Sequence, residues 1–365
     1  MVGEQRQATM ADVAREAGVS VSTVSRALRG VPTVTPETRS RVERAARDMS
    51  FALSRSASSL VTGKTRRVAV LMPGLARAPW FLGTTLTGIA GVLGEAELDL
   101  LVYVVTNKAE RAAFFDRLPA RHNADALMVV SFILTQEERE RLDELGVPVV
   151  FVSQHAPGRA GVYVDDAEAA RKGTQHLLNL GHRRIAHIQS AVVESFAWSA
   201  HDRLAGYRQA LEDAGVPCDD ALVVRAEYSR EGLREGIGSL LSLLQMPTAV
   251  FVETDEMAFE VLSILRSCGI EVPGRMSVLG FDDHSLAEAL DLSTIAQSPR
   301  DTGRIAAELV SSILADPSGD PARQVVLPTH LIPRGSTAPP PRNRQAEAAA
   351  AGRPGEPSDV PADDS

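Results

Sequence analysis

The stretch GVSVSTVSRAL, Gly18–Leu28, gathers Ser20, Ser22, Thr23 and Ser25 in one short run beside Arg26. Short hydroxyl side chains let a helix backbone come close to a polyanion. Their O–H groups, together with the N–H groups of a helix's first turn, can donate to phosphate oxygens. An arginine one turn further on can donate two hydrogen bonds to O6 and N7 of guanine, which makes Arg26 the candidate base reader. The chemistry implied is recognition of a nucleic acid. Covalent catalysis finds no comparable set: TGKT at 62–65 has Ser58 where a P-loop needs its earlier glycine, and a strand follows it rather than precedes it. There is no nucleophile elbow or zinc-ligand helix motif, and Asp282-Asp283 alone does not make an acid–base pair. The two cysteines, Cys218 and Cys268, stand far apart without metal-type spacing, which predicts buried free thiols with no redox role. No cofactor is implied.

The elements that must position these residues are short helices. Thr9 can cap a helix over 9–16, with Asp12 completing a capping box and Met10, Val13 and Ala14 at helical spacing. Gly18 permits a turn, Ser20 can cap the next helix, and Val24, Ala27 and Leu28 give that helix an apolar face. Thr35-Pro36 opens a third helix that runs through VERAARDM. The pattern is a helix-turn-helix head, in which the start of the second helix enters the major groove.

Charge supports the same division. The chain has 365 residues and a net charge of −9. Up to Arg67, twelve basic residues face six acidic ones, a balance of +6 that leaves −15 for the remainder. A basic module on an acidic body confines polyanion contact to the first part. Hydrophobic residues make up 44% and charged residues 23%, so the chain can bury sizeable cores. No apolar run approaches the roughly 18 residues of a membrane span, and the first nine residues lack the apolar core of a signal peptide, so a cytoplasmic location is expected.

The segments ATMADVAREAGVSVSTVSRAL and VTPETRSRVERAA resemble the head motif of the LacI/GalR family of bacterial repressors. That resemblance implies that Val21, Ser22 and Arg26 face bases, and that Thr9, Ser20, Thr23 and Ser25 contact phosphates. The following segment, 50–65, is too serine-rich to form a stable helix unaided. By the resemblance it folds into a hinge helix on the operator, with Ala57 and Leu60 at the minor groove and Leu60 as a wedge. Phe51, Leu53 and Ser54 replace the family's usual tyrosine, proline and asparagine there.

From Arg67 onwards, apolar runs of strand length alternate with helical stretches. RRVAVLMP, DLLVYVV, DALMVVS and VPVVFVS are separated by helices predicted around 84–97 and 109–121. RRIAHI, ALVVRAE, TAVFVE and MSVLGFDD accompany helices predicted at 166–180, 202–214, 231–244 and 256–268. Repeated βαβ units predict parallel sheets with helices on both faces, arranged as two lobes, and ligands of such sheets collect at the carboxyl ends of strands. The resemblance continues through LNLGHRRIAHI, RLAGYRQAL, SVLGFDD and LSTIAQ to about Thr337. It implies a two-lobed, periplasmic-binding-protein-like regulatory domain, with 299–315 returning to the first lobe and 324–333 linking both. The implied effector positions are Trp80, Phe81, Ser199, Arg203, Tyr228, Thr254 and Asp282. Such a set suits a polyol, whose hydroxyls bind carboxylate and guanidinium while its C–H face meets an aromatic ring, or a purine stacked on the same rings. Thr254 stands where many members have asparagine and Ser153 where many sugar binders have aspartate, which reduces capacity for a standard hexose.

The expected organisation is a head over 1–50, a hinge over 51–66, an effector-binding and dimerisation domain over 67–337 and a disordered tail over 338–365, rich in Ala, Pro, Gly and acidic residues. The expected partners are double-stranded DNA with a palindromic operator, a small-molecule effector of sugar type, and a second copy of the chain, since no leucine heptad is present to build a tetramer. A solute-binding protein without a DNA role would require an export signal and no basic head; an enzyme working through the cleft carboxylates is the remaining alternative.

Overall fold

The computed structural model describes residues 8–28, 31–49, 51, 64–74, 79–191 and 198–341. The head comprises α1 (Met10–Ala17), α2 (Val21–Leu28) and α3 (Pro36–Asp48). Its termini follow from local chemistry. Thr9 and Asp12 form a reciprocal capping box on α1, and Gly18 closes that helix in the left-handed conformation at φ 62°, where a side chain would be strained. Ser20 Oγ accepts from Thr23 N–H at 3.2 Å to start α2, and Thr35 caps α3 with Pro36 at its first position. The three helices close over Val13, Ala17, Val24, Val42 and Ala45, with Leu28 and Phe51 packed at the edge.

The body alternates strand and helix. In chain order the elements are β1 (Arg67–Pro73), α4 (Pro79–Glu95), β2 (Asp99–Val105), α5 (Lys108–Arg117), α6 (Ala120–Asn123), β3 (Ala126–Val130), α7 (Gln136–Asp143), β4 (Val149–Val152) and β5 (Gly161–Val164). They continue with α8 (Asp166–Asn179), β6 (Ile185–Ser190), α9 (Trp198–Asp213), β7 (Val223–Ala226), α10 (Arg230–Leu241), β8 (Ala249–Val252), α11 (Asp255–Ser267) and β9 (Ser277–Asp282). The last are β10 (Ser293–Ala296), α12 (Pro299–Ala315), β11 (Gln324–Leu327) and β12 (His330–Ile332).

Two six-stranded sheets result, ordered β11-β5-β4-β3-β1-β2 and β12-β10-β9-β8-β6-β7. Every pairing in the first is parallel; in the second, β12 alone runs antiparallel, against β10. Each sheet is covered on both faces, which is why β3 and β9 are buried along their whole length. The chain passes between lobes three times: from β5 into α8, from β10 into α12, and from β11 into β12. Helix α12 does return to the first lobe, where Ala306, Ala307 and Val310 join the core of Val70, Leu82, Ile89 and Val152.

Several expectations are corrected. Helix α4 starts at Pro79, five residues before the predicted 84, because proline is favoured at a first helical position. The helix predicted over 109–121 ends at Arg117, where Leu118 turns left-handed at φ 41° ahead of Pro119. Cys218 and Cys268 are exposed rather than buried, since one lies in the turn after α9 and the other is the C-terminal cap of α11. Packing also runs past Thr337: Ala338 N–H donates to Ser277 Oγ at 3.0 Å, and the Ala338 carbonyl accepts from that hydroxyl at 3.0 Å. Residues 342–365 of the expected tail lie outside the described residues. Among the described residues no helix is long and apolar enough to cross a membrane.

Helices α4 and α12 cross at mutual glycines. A Cβ on Gly88 would lie 2.1 Å from Arg300 O, and one on Gly303 2.1 Å from Thr85 O. Backbone blocks both, so Gly88→Ala or Gly303→Ala should destabilise the protein by about 1–3 kcal/mol. Gly91, on an open face of the same helix, should tolerate Ala or gain up to about 1 kcal/mol. Urea denaturation midpoints of the three variants check this ordering.

Candidate functional site

Two surfaces carry chemistry. On the head, α2 turns Val24 and Ala27 inward, leaving Val21, Ser22 and Arg26 on the exposed side. Val21 is 47% exposed, which leaves its methyl groups open to contact with a group such as a thymine methyl. At the start of α2, Ser20 Oγ lies 2.8 Å from both Ser22 Oγ and Thr23 Oγ1, forming a cluster of hydroxyls around the first turn. Arg26 Nε donates to Ser22 O at 3.2 Å, which folds the arginine back along its own helix. Thr9 Oγ1 is bonded to Asp12 Oδ2 at 2.6 Å within the cap of α1, and Ser25 is half-buried. Ala57 and Leu60 lie outside the described residues.

The second surface is a cleft between the lobes, enclosing about 820 Å³, part of it open to solvent. Its wall is made where strands end and helices begin: Pro73, Ser131, Ser153 and Val164 follow or close β1, β3, β4 and β5, while Ser190, Glu253 and Asp282 do so for β6, β8 and β9. Ser131, Ser153 and Asp282 adopt positive φ of 54°, 58° and 123°. Strained, non-glycine backbone of this kind persists where the surrounding fold enforces it, and it concentrates at binding sites. The Ser153 hydroxyl is buried without a hydrogen-bond partner.

Arg203 organises the floor. Its Nε donates to Asp166 Oδ1 at 2.8 Å and its Nη1 to the Glu253 carbonyl, while its guanidinium lies 3.5 Å from the centroid of the Phe281 ring. The side chains of Arg203 and Asp166 are 4% and 6% exposed, so this is an ion pair in a dry setting. Asp282 Oδ1 accepts from Gln297 Nε2 at 2.7 Å, and Glu253 Oε2 accepts from Ser190 N–H. Burial raises the pKa of Asp166, Glu253 and Asp282, and Arg203 opposes each rise. Burial likewise opposes the charge of Arg203, but Asp166, Asp282 and Glu253 hold its pKa above the ordinary value. Asp255, behind this floor, is pushed up to about 6 by burial; it accepts from Thr294 Oγ1 at 2.7 Å and from His284 N–H at 2.8 Å.

The pattern of bacterial regulatory proteins of the lacI family matches residues 9–53, and that of a periplasmic binding protein-like domain matches residues 174–337. The HTH-type transcriptional regulator CelR of Thermobifida fusca is 31% identical over 91% of this chain and 99% of its own length. The chain belongs to the LacI family. It is a DNA-binding transcriptional regulator, not an enzyme. Among solved structures, a CelR–cellobiose complex superposes with a TM-score of 0.66 at 28% identity, over 90% of this chain and 99% of the other. The lac repressor dimer bound to operator and an anti-inducer shares the fold with a TM-score of 0.80 at 23% identity, over 91% of this chain and all of that one.

In this LacI-family cleft, Phe81, Ser199, Arg203, Tyr228, Thr254 and Asp282 line one cavity. Trp80 is not in the wall. Adjacent helical residues point about 100° apart, so with Phe81 facing the cavity Trp80 is turned aside. Its ring packs on His284 at 4.6 Å between centroids, and its backbone N–H donates to Glu256 Oε1 at 3.4 Å, which joins the two lobes beside the cavity. Glu256 also accepts from the Tyr228 hydroxyl at 3.0 Å. Thr254 Oγ1 caps α11 by accepting from Met257 N–H at 3.2 Å. Asp166, Glu253, Ser131, Ser190, Gln297 and Thr302 line the cavity without having been singled out from the sequence. The one available signal was a carboxylate ending an apolar run, as Glu253 ends TAVFVE.

Because the Arg203–Asp166 pair is buried, Arg203 is structural as well as cleft-facing. Arg203→Ala leaves a buried carboxylate without its cation and should cost about 3–5 kcal/mol. Adding Asp166→Asn should recover a substantial part. Chemical denaturation of the single and double variants provides the test; equal stability of Arg203→Ala and the parent would contradict the pair's role.

Proposed function

We propose that this regulator is a dimeric repressor of a two-fold symmetric operator, and that a sugar or sugar-like metabolite in the interlobe cleft sets its affinity for DNA. The observation that carries the linkage is that two of the three crossings between lobes supply cavity wall: Val164 and Asp166 from the first, Gln297 and Thr302 from the second. A ligand there contacts the segments about which the lobes must move, so it binds open and closed arrangements with different affinity and shifts their populations. Seryl hydroxyls, buried carboxyls and the rings of Phe81 and Tyr228 supply the contacts a polyol needs. That a relative's structure holds cellobiose supports the same class.

Dimerisation is supported by apolar surface that one copy leaves uncovered: Val102 at 39% and Val104 at 44% exposure on the edge strand β2, with Leu286 and Leu290 at 52% and 46% on the other lobe. The lac repressor, which shares this fold, is described as a dimer on its operator. On each half-site, α2 enters the major groove, Val21, Ser22 and Arg26 face base edges, and Thr9, Ser20, Thr23 and Ser25 meet phosphates. The hinge at 51–66 places Ala57 and Leu60 at the minor groove, between a head over 1–50 and an effector domain over 67–337. Its place of action is the cytoplasm, with the DNA.

Arg26→Ala should cost about 1–3 kcal/mol on the operator and relax preference at one base pair in each half-site. Affinity measured against single-base operator variants distinguishes this from a uniform loss across all sequences, which would reassign Arg26 to phosphate.

A further inference from the structure

The cleft holds three buried carboxyl groups and a single cation among its described lining residues. Asp166, Glu253 and Asp282 are each at most 6% exposed, and among the described residues lining the cavity Arg203 is the one cation. That cation is already committed, with Nε on Asp166, Nη1 on the Glu253 carbonyl and its flat face on Phe281. Glu253 and Asp282 accept instead from neutral donors, the Ser190 N–H and the Gln297 amide. A neutral donor stabilises a buried carboxylate far less than a cation does, so burial draws both groups toward the protonated form against the shared charge of Arg203, and a second cation in the cavity would favour both as carboxylates. No group of three or more His, Cys, Asp or Glu side chains among the described residues is placed to hold a metal ion. Phe81 and Tyr228 bring aromatic rings to the same space from opposite lobes, and an aromatic ring beside a carboxylate is the combination that recognises an ammonium group. The buried, unpartnered Ser153 hydroxyl marks a polar contact awaiting a ligand on the opposite lobe.

We propose that the effector is a polyol carrying a protonated amine, held by Glu253 and Asp282, and that phosphorylated or acidic sugars are excluded. This rests on the cleft being the effector site, and it narrows the ligand class. A negatively charged ligand would disfavour ionisation of both carboxyls and finds no second cation among the described residues lining the cavity. An ammonium group would supply that second cation, while the remaining hydroxyls engage the serines.

The test uses the full-length protein and matched probes: glucosamine, galactosamine and mannosamine, each beside its hexose and its hexose 6-phosphate, and fully deacetylated chitobiose beside cellobiose. Thermal melting and calorimetric titration are run with each probe up to about 20 mM, enough to detect millimolar binding. At least one amine should raise the melting temperature and bind about tenfold more tightly than its neutral counterpart, with its phosphate form inert. Glu253→Gln should erase most of that advantage, and Asp282→Asn serves the same purpose should the first variant fail to fold. The inference is overturned if a neutral or phosphorylated member binds as tightly as its amine, if no amine binds, or if both folded variants keep the amine preference. Operator binding by the parent is measured in the same preparations. Its absence would defeat the regulator reading itself, whereas intact operator binding without amine preference defeats only this inference.

Discussion

The structure depends on how the chain joins its two lobes. Three crossings tie them, and two of these are also cavity wall, so the lobe connections and the proposed effector site share residues. Asp166 concentrates this constraint: it opens α8 immediately after the first crossing, and its carboxylate is paired with Arg203 where both side chains are buried. Removing water from such a pair is costly, and it is tolerated because the guanidinium is held at once by a carboxylate, a carbonyl and an aromatic face. In the proposed mechanism, this floor at the lobe connections is what would turn occupancy of the cavity into a change in the relation of whole lobes.

Around that floor, strain and close packing work together. Ser131, Ser153 and Asp282 hold backbone conformations that serine and aspartate seldom adopt, at the ends of strands too deeply packed to relax. The glycine crossing of α4 on α12 fixes the helix that carries Phe81 and Leu82 into the cavity. Beside it, Trp80 and Glu256 bridge the lobes, and Glu256 also bonds to Tyr228, which lines the cavity. The cavity wall and the contact between lobes are therefore adjacent in a hydrogen-bond chain a few residues long.

The head was almost wholly legible in the sequence, because caps at Thr9, Ser20 and Thr35, a glycine at 18 and a proline at 36 fix three short helices by local chemistry alone. The lobes were legible as alternating elements, but β5, α7 and β10 were not assigned as elements: two of them are four residues long, and α7 is highly charged with only Leu142 buried. The return of α12 came from family resemblance, since periodicity carries no information on which lobe a helix joins. Arg203 and Asp282 fell in recognisable motifs and Phe81 was implied by the resemblance, whereas Asp166 and Glu253 reach the cavity through the crossings and the strand register. Trp80 shows the limit from the other side: one position of helical rotation moves an aromatic residue from the cavity to the lobe contact.

The whole account requires that the basic head discriminate between DNA sequences, which its exposed Val21, Ser22 and Arg26 are placed to do. The most direct measurement is the affinity of the full-length protein for a duplex selected from genomic DNA, against a scrambled duplex of equal length and composition, at about 150 mM salt where phosphate attraction alone is weak. The account predicts a preference of at least about 10³-fold for the selected, two-fold symmetric sequence. Equal affinity for the two duplexes would contradict it.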